Sequence, residues 1–160
     1  MEISFLGQAN FKLKGKSAIV GTDPLEVVTE KTIKIVHPGE YEISGVSVIG
    51  IPMDVNNNIF ILEMDGLRIA YLKQFGEKLT TQLLEEIGSI DILVISVVDA
   101  KLAAEVIKQV DPWLAIPMQF SNVSEFLKVM DKPNLEPVAK LTISADRLPS
   151  EFTIVWLSKK

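Results

Sequence analysis

His37 is the only histidine in this chain, and there is no cysteine. Thiolate nucleophiles, thiolate metal sites and disulfides are thereby excluded. The imidazole stands directly before Pro38-Gly39, a turn dipeptide, where it is a candidate base or ligand or simply a surface group. Asp23 lies in Thr22-Asp23-Pro24, a turn in which an aspartate usually hydrogen-bonds its own backbone. Glu40 and Glu42 alternate along one strand face, and no third group nearby sets their pKa values apart, so a solvated face is expected. The run Asp54-Val55-Asn56-Asn57-Asn58 hints at a calcium loop. Ile59 stands where that loop needs glycine, and a hairpin loop is expected instead. Ser96 follows an apolar strand but lacks the G-x-S-x-G context and a neighbouring base.

The remaining candidates sit in three loops: Lys73-Gln74, Val98-Asp99 and Gln119-Phe120. Each follows an apolar run that reads as a strand, and such carboxyl-end loops are where α/β proteins usually keep their chemistry. None contains a nucleophile–base pair. Asp99 is placed to cap the helical pattern that begins at residue 100.

The elements that must position these residues come in two kinds. Residues 2–6, 11–14, 17–20, 32–36, 40–44 and 46–51 alternate apolar and polar side chains, the pattern of sheet with one wet face. No helical pattern precedes residue 79, and 26–31 makes one helical turn at most. Asp65-Gly66 between two apolar runs predicts a tight hairpin. Thereafter strands at 91–97 and 113–118 alternate with helices at 81–87, near 100–110 and after Asn122, which implies parallel βαβ units. Asn122 and Glu125 form a candidate capping box. Strands are expected at 138–144 and 152–157. The sum is an α/β fold of two packed sheets with helices on the second only, in one domain spanning residues 1–160.

Hydrophobic residues make up 48% of the chain and the net charge is −5. Mean hydropathy is +0.28, yet no apolar run reaches the roughly 18 residues of a spanning helix, so the excess is core or interface. An acidic balance argues against nucleic acid and anionic membranes as partners. The opening Met1-Glu2-Ile3 lacks the basic and apolar regions of a signal peptide, and a cytoplasmic location is expected.

Several phrases resemble the metallo-β-lactamase-fold hydrolases, especially their small bacterial Zn-dependent hydrolase branch. They are ISFLGQANFKLKG at the start, TDP at 22–24, HPGEYEISGVSVIGIP at 37–52, the stretch 59–120 and LTISADRLP at 141–149. The resemblance implies an αββα sandwich, with zinc held at the edge between the sheets. Here the first outer helical layer is reduced or missing, because about a dozen residues separate Pro24 from the HPGEYE segment. Nothing matches the H-x-H-x-D-H loop that defines the family. Gln8 stands where members often carry histidine, Lys73-Gln74 where Gly-Asp would supply a bridging aspartate, and Gln119 where Pro-Met-His would end. Carboxamides are neutral, poor zinc ligands, and an ammonium at 73 repels a second cation. The expectation is a member without zinc or another cofactor, with those four positions as its vestigial site, meeting there as a hydrogen-bonded cluster or a weak anion site, and with His37, Asp23 and Asp99 as weak candidates.

Three functional expectations follow. The first is a non-catalytic binding or structural protein of this fold. The second is a hydrolase acting on an unknown small substrate, either through zinc or without metal, with Lys73 or His37 as base. The third is self-assembly, as a homo-oligomer or with a full-length relative, because losing a helical layer leaves sheet surface or edges to cover.

Overall fold

The computed structural model describes every residue except Asn56, Phe120 and Ser121. Nine strands precede the first α-helix: β1 (Glu2–Gly7), β2 (Asn10–Lys14), β3 (Ile19–Thr22), β4 (Leu25–Val28), β5 (Thr32–Lys34), β6 (Gly39–Ile43), β7 (Val46–Asp54), β8 (Asn57–Met64) and β9 (Leu67–Leu72). Then come α1 (Thr81–Ile87), β10 (Ile92–Ser96), α2 (Ala100–Val110), β11 (Leu114–Met118), α3 (Ser124–Val129), β12 (Leu141–Thr142), a 3-10 turn (Ala145–Arg147) and β13 (Thr153–Ile154). One sheet has the order β12-β1-β2-β3-β4-β5, the other β13-β11-β10-β9-β8-β7-β6. The first is antiparallel throughout; the second is antiparallel from β6 to β9 and parallel from β9 to β13.

The period-2 pattern separates two cores. Ile3, Phe11, Leu13, Val20 and Val27 of the first sheet meet Val48, Leu62, Ile69, Val94 and Ile116 of the second. The alternate residues of the second sheet, Ile59, Ile61, Leu93, Ile95 and Ala115, pack beneath Ile87, Ala103, Val106 and Phe126 of the helices. The second sheet is thus apolar on both faces through β10 and β11, as their continuous runs require, while its edge strand β6 turns Glu40 and Glu42 to solvent. The first sheet turns Lys12, Lys14 and Lys34 outward to solvent. All three α-helices of the described residues follow residue 80, so the first outer layer is absent there.

Local chemistry sets the connections. Asp65 and Gly66 both have positive φ, 54° and 77°, the mirror-image turn that matches strand twist. Thr80 accepts from the Leu83 amide at 3.2 Å and starts α1, and Gly88 at φ 67° ends it. Gly50 is pinned by space: a Cβ there would stand 2.9 Å from the Pro38 Cα and 3.0 Å from the Phe60 ring. That close approach seats the link from β5 to β6 on β7.

Four expectations change. Residues 25–28 form β4 rather than a helical turn, and β-branched Val27 and Val28 fit the pleat. The candidate capping box does not form: Val123 is the cap residue, and Asn122 Oδ1 instead accepts from the Ser124 amide at 2.9 Å. The strand expected at 138–144 shrinks to Leu141–Thr142 with an isolated bridge at Val138. The strand expected at 152–157 shrinks to Thr153–Ile154. Both shorten for one reason. The final segment leaves β11 of one sheet and reaches Phe5 of the other through Lys159, crossing the sandwich edge rather than following either sheet. The hairpin loop expected at 54–58 joins β7 to β8, with Asn56 outside the described residues.

Candidate functional site

Strand directions gather the candidates at one end of the sandwich. The β1–β2 turn, the β3–β4 turn, the β5–β6 link and the carboxyl ends of β9, β10 and β11 all lie there. Gln8, Asp23, His37, Lys73, Gln74, Asp99 and Gln119 therefore share a rim, where direct contacts join Lys73 to Asp23 and Gln119 to Gln8.

Two contacts tie the sheets together across this rim. Lys73 Nζ, just past β9, donates to Asp23 Oδ1 in the β3–β4 turn at 2.9 Å, with both side chains about 40% exposed. The Gln119 amide, just past β11, donates to the Gln8 carbonyl at 2.8 Å. Gln8 and Gln119 both hold left-handed backbone, φ 54° and 56°. Each conformation costs an L-residue on the order of 1–2 kcal/mol, and such strain gathers at functional sites. Gln8 follows a register shift in β1 between Phe5 and Gly7, so the rim turn is a bulged one.

Beneath the rim lies a network the sequence reading missed. Tyr71 is 3% exposed, and its hydroxyl donates to the Ala9 carbonyl at 2.7 Å. Thr22 Oγ1 donates to the same carbonyl at 2.9 Å and accepts from the Phe11 amide at 2.9 Å. Burial pushes the Tyr71 hydroxyl well above the ordinary tyrosine range; the Thr22 hydrogen bond opposes this shift and the Asp23 charge adds to it. A signal was present, because Tyr71 is the one hydroxyl-bearing residue of the apolar run Leu67–Leu72 and a buried tyrosine needs a partner.

The other candidates are engaged differently. The Gln74 carbonyl accepts from Asn57 Nδ2 at 2.5 Å, tying the end of β9 to the start of β8, and its side chain is exposed. Asp99 Oδ1 accepts from the Leu102 amide at 3.0 Å and caps α2. His37 is exposed, and its carbonyl accepts from the Tyr41 hydroxyl at 3.0 Å. Glu40 and Glu42 are exposed on edge strand β6. Ser96 is 6% exposed at the end of β10.

Zinc does not fit this donor set. Among the described residues no three His, Asp or Glu side chains converge to hold a metal ion. Asp23 is the one carboxylate joined to Lys73, and its partner there is a cation. Gln8 and Gln119 offer carboxamides, and a hydrolytic zinc site needs three ligands drawn from His, Cys and carboxylate.

Comparison with known proteins places these features. The model of the beta-lactamase superfamily domain matches residues 27–119. A Thermotoga maritima protein assigned to the Zn-dependent hydrolases of the metallo-beta-lactamase superfamily superposes with a TM-score of 0.84 at 26% identity. That match covers 98% of each chain. No curated protein sequence matches the chain.

Proposed function

Because this chain belongs to the beta-lactamase superfamily domain family, we propose that it is a non-catalytic member acting as a binding or structural protein. The observation that carries this reading is the Lys73–Asp23 ion pair at the carboxyl end of β9. An ammonium there pairs with the Asp23 carboxylate of the β3–β4 turn, and it opposes entry of another cation. Gln8 and Gln119 keep the rim closed through their backbones and leave two neutral carboxamides for hydrogen bonding. The pair, the strained glutamines and the Tyr71–Thr22 network act together as a cross-link between the sheets.

A hydrolytic reading that uses Lys73 as base meets the same pair. Lys73 Nζ already donates to Asp23 Oδ1 at 2.9 Å, so a substrate would have to displace that contact to reach it. His37 is exposed on the β5–β6 link. The test is elemental analysis of protein purified without chelator, together with phosphodiesterase and esterase assays. The expected result is no stoichiometric metal and no turnover. Stoichiometric zinc, or turnover abolished by Lys73→Gln, overturns the reading.

A further inference from the structure

We propose that two copies of this chain join their open sandwich flanks, β5 of each pairing with β6 of the other. The two sheets end side by side on this flank, the first at β5 and the second at β6. The opposite flank is strapped, because the segment 138–159 crosses it and bridges Val138 to Leu157 and Phe5 to Lys159. The β5–β6 flank gapes instead. A cleft of about 430 Å³ opens there, with Thr29, Ile33 and Ser44 in its wall. Ile33 is 43% exposed and Val36, in the link to β6, 68%.

Both edge strands have a free side. The Ile35 amide donates to the Leu25 carbonyl at 2.9 Å, so by alternation Thr32 and Lys34 turn their backbone N–H and C=O away from β4. All of β5 is exposed. β6 has β7 as its one sheet neighbour. Strand direction fits as well. β5 runs toward the rim and β6 runs away from it, because the link between them lies at the rim. A two-fold axis parallel to the strands therefore sets β5 antiparallel to the other copy's β6, and makes the same junction twice. Each sheet of one copy then continues into a sheet of the other, the mode by which strand edges are usually covered.

Side-chain alternation selects the occupant. On β5, Ile33 lies opposite Val27 of the inter-sheet core, so Lys34 points to the outer face. On β6, Tyr41 lies opposite Val48 of the same core, so Glu40 and Glu42 point to the outer face. The axis along the strands lays these outer faces in one plane. Lys34 then shares a face with Glu40 and Glu42 of the other copy, and Ile33 shares the inner face with Tyr41 and Ile43. Opposite charges on adjacent strands attract, and like charges repel. Glu26 stands opposite Lys34 by register, yet among the described residues Lys34, Glu40 and Glu42 make no ion pair within the chain. A two-fold axis normal to the sheets would instead set β5 on β5 and β6 on β6, lysine against lysine and glutamate against glutamate. One chain thus carries two adjacent edges that complement each other in direction, face and charge, and a second copy satisfies both at once.

The experiment is sedimentation velocity over a wide concentration range on four samples: the unmodified chain, Lys34→Glu, Glu40→Lys with Glu42→Lys, and an equimolar mixture of the two variants. All three side chains are exposed, and thermal unfolding at low concentration checks that each variant folds. The expected result is a dimer for the unmodified chain. Each variant alone sets like charges at both junctions, and its dissociation constant should rise about tenfold or more. The mixture should dimerise again, because the mixed pair sets glutamate against lysine at both junctions. A monomeric unmodified chain at high concentration overturns the proposal, as does a dimer that survives either variant or a mixture that stays monomeric. Should a variant fail to fold, hydrogen exchange on the unmodified chain decides. The amides of Thr32 and Lys34 must gain protection as concentration rises, and equal exchange at all concentrations refutes the interface.

Discussion

Tyr71→Phe tests the network beneath the rim. The hydroxyl donates to the Ala9 carbonyl, which Thr22 also supplies. Removing it leaves that carbonyl a donor, so the cost is one net hydrogen bond, about 1 kcal/mol at neutral pH, rather than an orphaned acceptor. For a chain of 160 residues this lowers Tm by about 2–4 °C. Alkaline pH reverses the order. Burial holds the folded hydroxyl's pKa above that of the unfolded chain, so the neutral phenol contributes its full stability below the unfolded value. That contribution is lost as pH rises from the unfolded pKa, near 10, toward the folded one. One unit above the unfolded value, near pH 11, the loss is about 1.4 kcal/mol, and the phenylalanine variant does not suffer it. Urea unfolding curves of the two proteins should therefore differ at neutral pH and meet or cross near pH 11. Parallel stability curves across that interval would refute the buried-phenol reasoning. A neutral-pH loss above about 3 kcal/mol would refute the shared acceptor.

Three further outcomes are expected. Asp23→Asn and Lys73→Gln should each cost under about 1 kcal/mol, because both partners are about 40% exposed, and added salt should shrink their coupling in a double-mutant cycle. Gln8→Gly should raise stability by about 1 kcal/mol in chemical denaturation, since glycine adopts the left-handed backbone of residue 8 without strain; a loss would show that the side chain itself holds the turn. Combining Gln8→His, Lys73→Asp and Gln119→His should create a stoichiometric zinc site beside Asp23, read by equilibrium dialysis against the unmodified chain. A triple variant that folds and takes no zinc would show that the rim side chains do not converge.

Much of the architecture was legible because it rests on local periodicity. Alternation along residues 2–34 marks a sheet with one wet face, while 39–54, which alternate likewise, join the far edge of the second sheet, whose continuous apolar runs at 91–97 and 113–118 are covered on both sides. Thr80, Asp99 and the Asp65-Gly66 turn carry their conformations in their own side chains and backbones, and each stands where expected. The Asn122–Glu125 pair had the right spacing and a different outcome, since cap geometry depends on where the helix begins. The closing strands failed for a tertiary reason, because the segment 138–159 spans both sheets.

The site divides the same way. Residue types alone dictate that the chain has no thiolate and a single imidazole, and that carboxamides and an ammonium occupy Gln8, Lys73 and Gln119, because composition needs no coordinates. Pairing is a matter of folding. Fifty positions separate Asp23 from Lys73, and sixty-two separate Ala9 from Tyr71. Nothing in local chemistry joins such residues. Only the packing of one sheet on the other brings the ammonium onto the carboxylate and the phenol onto the rim carbonyl, while leaving His37 in solvent.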